Sequence, residues 1–384
     1  MHINGNMVVL AREIRGMTQQ YLASRMAASL YALSRIERGI HSEVSERQAL
    51  AIANALGFPL EFLMQRDELV GSGSGPCCSG GKTALEEIDQ KRIRGVLSAL
   101  HIHIRQLRRA VDVVAERTLP KFARDQLAGS AMRAAQALRS FWDVPEGPIA
   151  NLTELVESTG AVVVRCDFGM SAIGAASVRP DGAPPLVLID RTIPGDQSRL
   201  VLAHQLAHLV MHGSAFPKME READEFAHEF LLPQSSMRAA FARADVTLAD
   251  LVSLRTQWQV PVAALLDRAC AMKLIDAKAR NRLWTSAKVH GYLLEPRSLP
   301  HEAASNLRRM LDCFLRTRGL GPGDLADVFK IGMHDIAAWY GQSMPPRRRP
   351  DQHHETARIA GATPGAVVVR PAARLRRGAT ADRR

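Results

Sequence analysis

Apolar positions along the chain recur mostly at helical spacing, and the places where that period fails divide the sequence into segments. Residues 7–66 read as a series of short amphipathic helices with few strand signals. A Gly/Ser-rich stretch, 71–84, follows; it has no side chains able to build a core and reads as a flexible linker. From 85 to 142 the chain is rich in Ala, Leu and Arg, and Leu97, Leu100, Ile104, Leu107, Val111 and Val114 form one apolar stripe of helical period. Between Gly160 and Asp190 the period shortens. There, 161–165 and 186–190 are β-branched runs bounded by Gly and Pro, the pattern of a small sheet. Two helices are expected at about 196–212 and 219–232, the second stopped by Pro233, and residues 236–342 return to short helices. The pattern predicts a mainly α protein with one small α+β region.

Composition narrows the class. A chain of 384 residues, 46% apolar and 23% charged, suits two or three globular domains and excludes a mainly disordered one. No run approaches the roughly 18 apolar residues of a bilayer span, and Met1–Leu10 lacks a signal-peptide pattern, so a cytoplasmic protein with no membrane partner is expected. Five cysteines, none in CxxC spacing, fit a reducing compartment. The formal charge of +11 is uneven: ten Arg against Asp351, Glu355 and Asp382 place +7 of it in residues 344–384. That Pro/Arg/Ala-rich end has too little apolar surface to offset the entropy of ordering and is expected to be a disordered basic tail.

Candidate chemistry appears first near the amino terminus. Thr18 is placed to cap a helix carrying Gln19, Leu22 and Met26, and Ser29 to cap a second running from Leu30 to Arg38 and ending at Gly39. Two short helices at this spacing make a helix-turn-helix, in which the first crosses the DNA backbone and the second enters the major groove. The groove residues would be Leu30, Tyr31, Ala32, Ser34 and Arg35, with Thr18, Gln19 and Ser29 at the backbone. The segment Leu33-Ser-Arg-Ile-Glu-Arg-Gly39, followed by Leu50-Ala-Ile-Ala-Asn-Ala-Leu-Gly57, resembles the XRE family of phage-repressor-type DNA-binding domains. The resemblance implies a five-helix domain that binds double-stranded operator DNA, often as a homodimer. One position departs from it: Leu30 stands where the family often carries Gln, and Leu cannot make the bidentate adenine contact.

The second constellation lies between residues 199 and 233. The helix Arg199–His212 is apolar almost all round and should be buried, and buried histidines need partners. His204 and His208 are four residues apart, about 40° round the axis, and can offer two imidazoles to one metal ion. On the next helix Glu220, Ala223, Asp224, Ala227 and Leu231 share one stripe, and carboxylates on a core-facing stripe are costly unless paired. Zn²⁺ bound by His204, His208 and Glu220, with Asp224 accepting the other ring N–H of a ligand histidine, would satisfy all four groups.

His204-Gln-Leu-Ala-His208 with Glu220-x-x-x-Asp224 resembles the metal core of the gluzincin metallopeptidases. Taken with Gly147-Pro-Ile-Ala-Asn-Leu152, the whole region is similar to the ImmA/IrrE family, whose members cleave or antagonise repressors and often follow an XRE domain. Leu254–Glu302, including Trp284, Gly291 and Glu295-Pro296, resembles the carboxy-terminal helical region of those fusions. Active members carry Glu after the first histidine, where it takes a proton from the attacking water. Here Gln205 occupies that place, and an amide has no basic lone pair. His212 and His228 are near enough to be considered as replacement proton carriers but read more simply as structural histidines.

These readings divide the chain into an XRE-type DNA-binding domain at 1–70, the linker at 71–84, a helical connecting region at 85–150, a zinc-peptidase-like core at 151–235, carboxy-terminal helices at 236–343 and the tail at 344–384. They suggest a DNA-binding regulator whose zinc domain is catalytically impaired and senses or binds a partner. The alternative is an active zinc metallo-endopeptidase that cleaves a repressor or antitoxin-like protein, this chain being its inactive Glu-to-Gln form.

Overall fold

The computed structural model describes residues 1–66, 77–79, 86–123, 127, 129–169, 174–213, 216–242, 246–293, 299–345 and 368–371. Five short helices open the chain: α1 (Gly5–Ile14), α2 (Gln19–Arg25), α3 (Leu30–Glu37), α4 (Glu46–Leu56) and α5 (Leu60–Leu63). The first four begin where a polar side chain can accept from an unpaired backbone N–H, at Asn4, Thr18, Ser29 and Ser45. Gly57 closes α4 at φ 66°, a left-handed conformation that costs glycine nothing. Next come β1 (Cys77–Ser79), α6 (Glu87–Arg108), β2 (Val111–Val114), α7 (Ala131–Phe141), α8 (Leu152–Glu157) and the strands β3 (Val162–Cys166), β4 (Ala175–Val178) and β5 (Leu186–Asp190). The long pair α9 (Gly195–Met211) and α10 (Met219–Leu231) follows. After it stand α11 (Gln234–Ala240), α12 (Leu248–Trp258), α13 (Val262–Ala271), α14 (Ala277–Val289), α15 (Asn306–Arg318), α16 (Leu325–Phe329), α17 (Met333–Tyr340) and β6 (Val368–Pro371). Among the described residues no helix is long and apolar enough to cross a membrane.

Two compact units form, each from separate stretches of chain: Met1–Glu116 with Gly160–Asp190 and Ala304–Arg384, and Arg117–Thr159 with Arg191–Ala303. In the first unit one continuous apolar core runs from α1–α5 through α6 to β3, β4, β5 and α15–α17. α1 lies directly on α6, where Gly95 allows the approach: a Cβ there would meet Ile14 Cγ1 at 2.9 Å. The guanidinium of Arg15 donates to both carboxylate oxygens of Asp335 on α17, at 2.7 and 2.8 Å, and to the carbonyls of Leu56 and Gly57 at the end of α4. The sheet has the order β1-β4-β5-β3, with β3 and β5 parallel and the other pairs antiparallel.

Three features depart from the sequence pattern. Within the stretch read as linker, Cys77–Ser79 pair with β4 as an edge strand. The apolar stripe of α6 stops at Leu107, and Val111 and Val114 belong to β2 instead. The partner of β2 is β6, which lies in the tail read as disordered; apart from Met344 and Pro345, the rest of that tail is outside the described residues. In each case the deciding contact is a backbone ladder to residues far along the chain, which local periodicity cannot anticipate. The sheet expected within the metal domain also packs into the first unit, with the five amino-terminal helices.

The second unit positions the long helix pair. α9 is buried on most of its surface, as its nearly uniform apolar sequence implies. α10 buries Ala223, Phe226, Ala227, Phe230 and Leu231 and packs against α9 and α7. Buried ion pairs hold both helices. Asp196 at the start of α9 pairs with Arg255 of α12 at 3.0 Å, and Arg199 pairs with Glu302 while donating to the carbonyl of Ile149. Glu302 also accepts from the backbone N–H of Leu152 and Thr153 and from the Thr153 hydroxyl, which ties α8 to the same carboxylate. On α10, Glu229 pairs with Arg268 of α13 and accepts from Gln136 of α7, and Arg139 donates to the carbonyl of Phe230. Because Glu302→Ala leaves Arg199 buried without its carboxylate, it is expected to cost about 3–5 kcal/mol, measured by denaturant unfolding; a loss below 1 kcal/mol would contradict the clamp.

Candidate metal centre and nucleic-acid face

The buried face of α9 turns His204 and His208 towards α10. The Nε2 atoms of the two rings are 3.0 Å apart; Glu220 Oε2 is 3.1 Å from that of His204 and Glu220 Oε1 is 3.7 Å from that of His208. Zinc bonds of about 2.0–2.1 Å in a tetrahedral site place ligand atoms about 3.3 Å apart, so one cation fits among these three donors. Among the described residues this is the one group of three or more metal-binding side chains whose donor atoms converge. Asp224 Oδ1 lies 2.8 Å from His204 Nδ1, which identifies that nitrogen as an N–H and leaves Nε2 as the nitrogen that would give its lone pair to a cation at the centre.

The two sides of the site differ in burial. His204 and His208 are 9% and 4% exposed, whereas the side chains of Glu220 and Asp224 are 51% and 66% exposed. Glu220 and Asp224 therefore do not lie on a core-facing stripe, contrary to the expectation from the sequence: the stripe that packs inward is Ala223, Phe226, Ala227, Phe230 and Leu231. Two exposed acids need no cation to escape desolvation, so the case for a metal rests on convergence of donors around buried imidazoles.

Electrostatics separates the two histidines. Burial works against a charged His204, yet the bonds and charges of Asp224 and Glu220 outweigh it and push its pKa up to about 9. Burial, reinforced by its histidine neighbours, pushes His208 down to about 2. Burial also lowers His212, against the opposing pull of Glu222. The acids therefore call for a positive charge at the centre, which His204 supplies by protonation when no cation is bound. Its folded pKa of about 9 exceeds the ordinary 6.5, so the protonated form contributes stability that is whole below about pH 6.5 and lost as pH rises through about 9. In chelator, the protein should lose melting temperature across that window, and His204→Ala should flatten the loss; equal slopes in both would contradict it.

Gln205 follows His204 on α9 and is completely buried. His228 lies on α10 with Nδ1 against the carbonyl of Asp224, a local helix contact.

At the amino terminus the two capping hydroxyls fall where the sequence put them: Thr18 accepts from Tyr21 N and Ser29 from Ala32 N, both at 3.1 Å. Leu30, Tyr31, Ala32 and Arg35 are exposed at the start of α3 and Ser34 is half-buried; Leu33 and Ile36 fill the core. Tyr31 is 72% exposed, with the Arg35 guanidinium 5.8 Å from its ring centre. Gln19 has an internal role that the sequence did not signal. Its amide donates to Glu37 at 2.6 Å, and Glu37 also binds the Arg12 guanidinium at 2.7 and 3.1 Å, so the three polar residues join α1, α2 and α3.

Residues 10–63 match the family model described as Helix-turn-helix, and residues 156–269 match that described as the IrrE N-terminal-like domain. No curated protein matches the chain. The first match spans α2 and α3 with their exposed face, and the second spans His204, His208 and Glu220.

Proposed function

We propose that this chain, a helix-turn-helix module followed by an IrrE N-terminal-like module, is a cytoplasmic transcriptional regulator whose second module binds zinc, has lost peptidase chemistry and serves as a sensor or partner-binding domain. The observation that carries the reading is the meeting of His204, His208 and Glu220 at one point while an amide stands at 205. Zinc held there would supply Lewis acidity and a coordinated water of lowered pKa. The protein's own residues supply the remainder. Asp224 orients His204, Glu220 adds the negative ligand, and three protein donors leave a fourth position for water or a partner group.

Hydrolysis also needs a group that accepts the water's proton and passes it to the leaving amine. The Gln205 amide cannot do so, and loss of general-base catalysis typically costs about 10²- to 10⁴-fold in rate. What remains is recognition: a regulatory protein, such as a repressor, that approaches the exposed carboxylate side could bind without being cut. Preferential binding to one conformation would then shift DNA occupancy.

For the DNA-binding module, the exposed start of α3 suits the major groove. Arg35 can donate to guanine or phosphate, and Leu30 and Tyr31 offer apolar surface to thymine methyl groups. A homodimer on a palindromic operator is the arrangement such a module commonly uses.

Metal analysis of the purified protein should return about one zinc per chain, and Glu220→Ala should lower it; a protein without zinc would refute the metal reading. With zinc present, Gln205→Glu and the parent should be assayed on candidate repressors and a peptide library. Silence in the parent supports the binding module, whereas cleavage by the parent would overturn the proton-acceptor argument. Cleavage gained only with Glu would identify the chain as the disabled form of a peptidase. Arg35→Ala should weaken binding to DNA selected from a random duplex pool by about 1–3 kcal/mol if it reads a guanine; unchanged affinity across several salt concentrations would count against the docking.

A further inference from the structure

His204 has Asp224 to fix its ring, and His208 has a neighbour of a different kind at its outer nitrogen. What stands there is another histidine: His208 Nδ1 is 2.7 Å from His212 Nδ1. The His212 side chain is only 4% exposed, and its far nitrogen, Nε2, faces the charge of Glu222 on α10 at 3.7 Å from Oε2, longer than a hydrogen bond. His212 is the residue at which α9 ends. Its own backbone N–H still donates to the carbonyl of His208, while its extended conformation, φ −108° and ψ 117°, takes the chain out of the helix. The ring of Phe216 closes edge-on against it, with centres 5.3 Å apart.

We propose that His212, backed by Glu222, is a positioning residue for the metal centre: it fixes the tautomer of His208 so that Nε2 presents its lone pair to the cation. The negative charge of Glu222 favours a proton on the His212 nitrogen that faces it, and in the neutral ring Nδ1 is then left as an acceptor. His208 Nδ1 stands 2.7 Å from that acceptor and can donate to it, so His208 bears its proton on the outside and a bare Nε2 on the inside. One carboxylate thereby sets two rings in sequence. The arrangement also argues against His212 as a proton carrier in place of the missing Glu, because one of its nitrogens is occupied by His208 and the other is directed at Glu222. Nor does His212 belong to the set of converging donors.

The inference rests on the zinc reading above, and zinc affinity, measured by competition with a chromogenic chelator, separates the two. A parent protein that binds no zinc would overturn both. If the parent binds, His212→Ala should weaken zinc about 10- to 100-fold, the usual effect of removing a residue that orients a ligand histidine. His212→Asn should restore most of the affinity, since its Oδ1 can accept from His208 Nδ1–H. Glu222→Gln should weaken zinc in the same direction, because an amide can donate to His212 and release its tautomer. The absorption of the cobalt-substituted protein should keep its tetrahedral intensity in every variant. Affinity in His212→Ala equal to the parent's would overturn the proposal. So would loss of the tetrahedral cobalt spectrum, which would make His212 itself a ligand, or failure of Asn to do better than Ala, which would reduce its role to packing. Should His212→Ala fail to fold, His212→Asn and Glu222→Gln decide the matter: Asn close to the parent together with a weakened Gln variant supports it, and any other pairing overturns it.

Discussion

A buried imidazole cannot turn freely to find a partner, so two of them aimed at one point are useful only if their outer nitrogens are already committed. This constraint organises the second unit. Asp224 stands at the outer nitrogen of His204 and His212 at that of His208, so that the two inner nitrogens and the carboxylate of Glu220 face each other. Every member of the set lies on α9, on α10 or at the end of α9, so the separation and rotation of these two helices decide whether a cation fits.

The same unit buries the guanidinium groups of Arg139, Arg199, Arg255 and Arg268, which has a physical reason. The buried faces of α9 and α10 are largely apolar, and apolar packing gives affinity but little control of rotation. Directional bonds at the helix ends supply that control: Asp196–Arg255 and Arg199–Glu302 for α9, Glu229–Arg268 and Arg139 on the Phe230 carbonyl for α10. Such pairs add little net stability over well-packed apolar residues, but breaking one is expensive, which makes the packed arrangement hard to leave. The donor geometry thus depends on residues up to a hundred positions away in sequence, Glu302 being the clearest case.

In the first unit the helix-turn-helix is built into a larger core. Gly95 lets α6 lie on α1, and Arg15 ties the end of α4 to Asp335, so the DNA-binding helices share their apolar interior with the sheet and with helices from the far end of the chain. The chain passes back and forth between the two units, and β5 in one is followed after only residues 191–194 by α9 in the other.

The sequence by itself determined whatever depends on local stereochemistry. Helix caps at Thr18 and Ser29, the exposed start of α3, the buried α9, the i, i+4 pairing of His204 with His208 and the two modules were all legible, because each is set by residues within a turn or two of one another. The ladder between β2 and β6, the strand at Cys77–Ser79, the solvent exposure of Glu220 and Asp224, the tie of Gln19 to Glu37 and the Glu302 clamp were decided only in three dimensions. Their partners are distant in the chain, and which of two amphipathic faces turns inward, or which strand edge finds a neighbour, follows from what the rest of the fold leaves to be covered. A helix pattern records a residue's angle about its own axis; whether that angle points at protein or at water is a property of its neighbours.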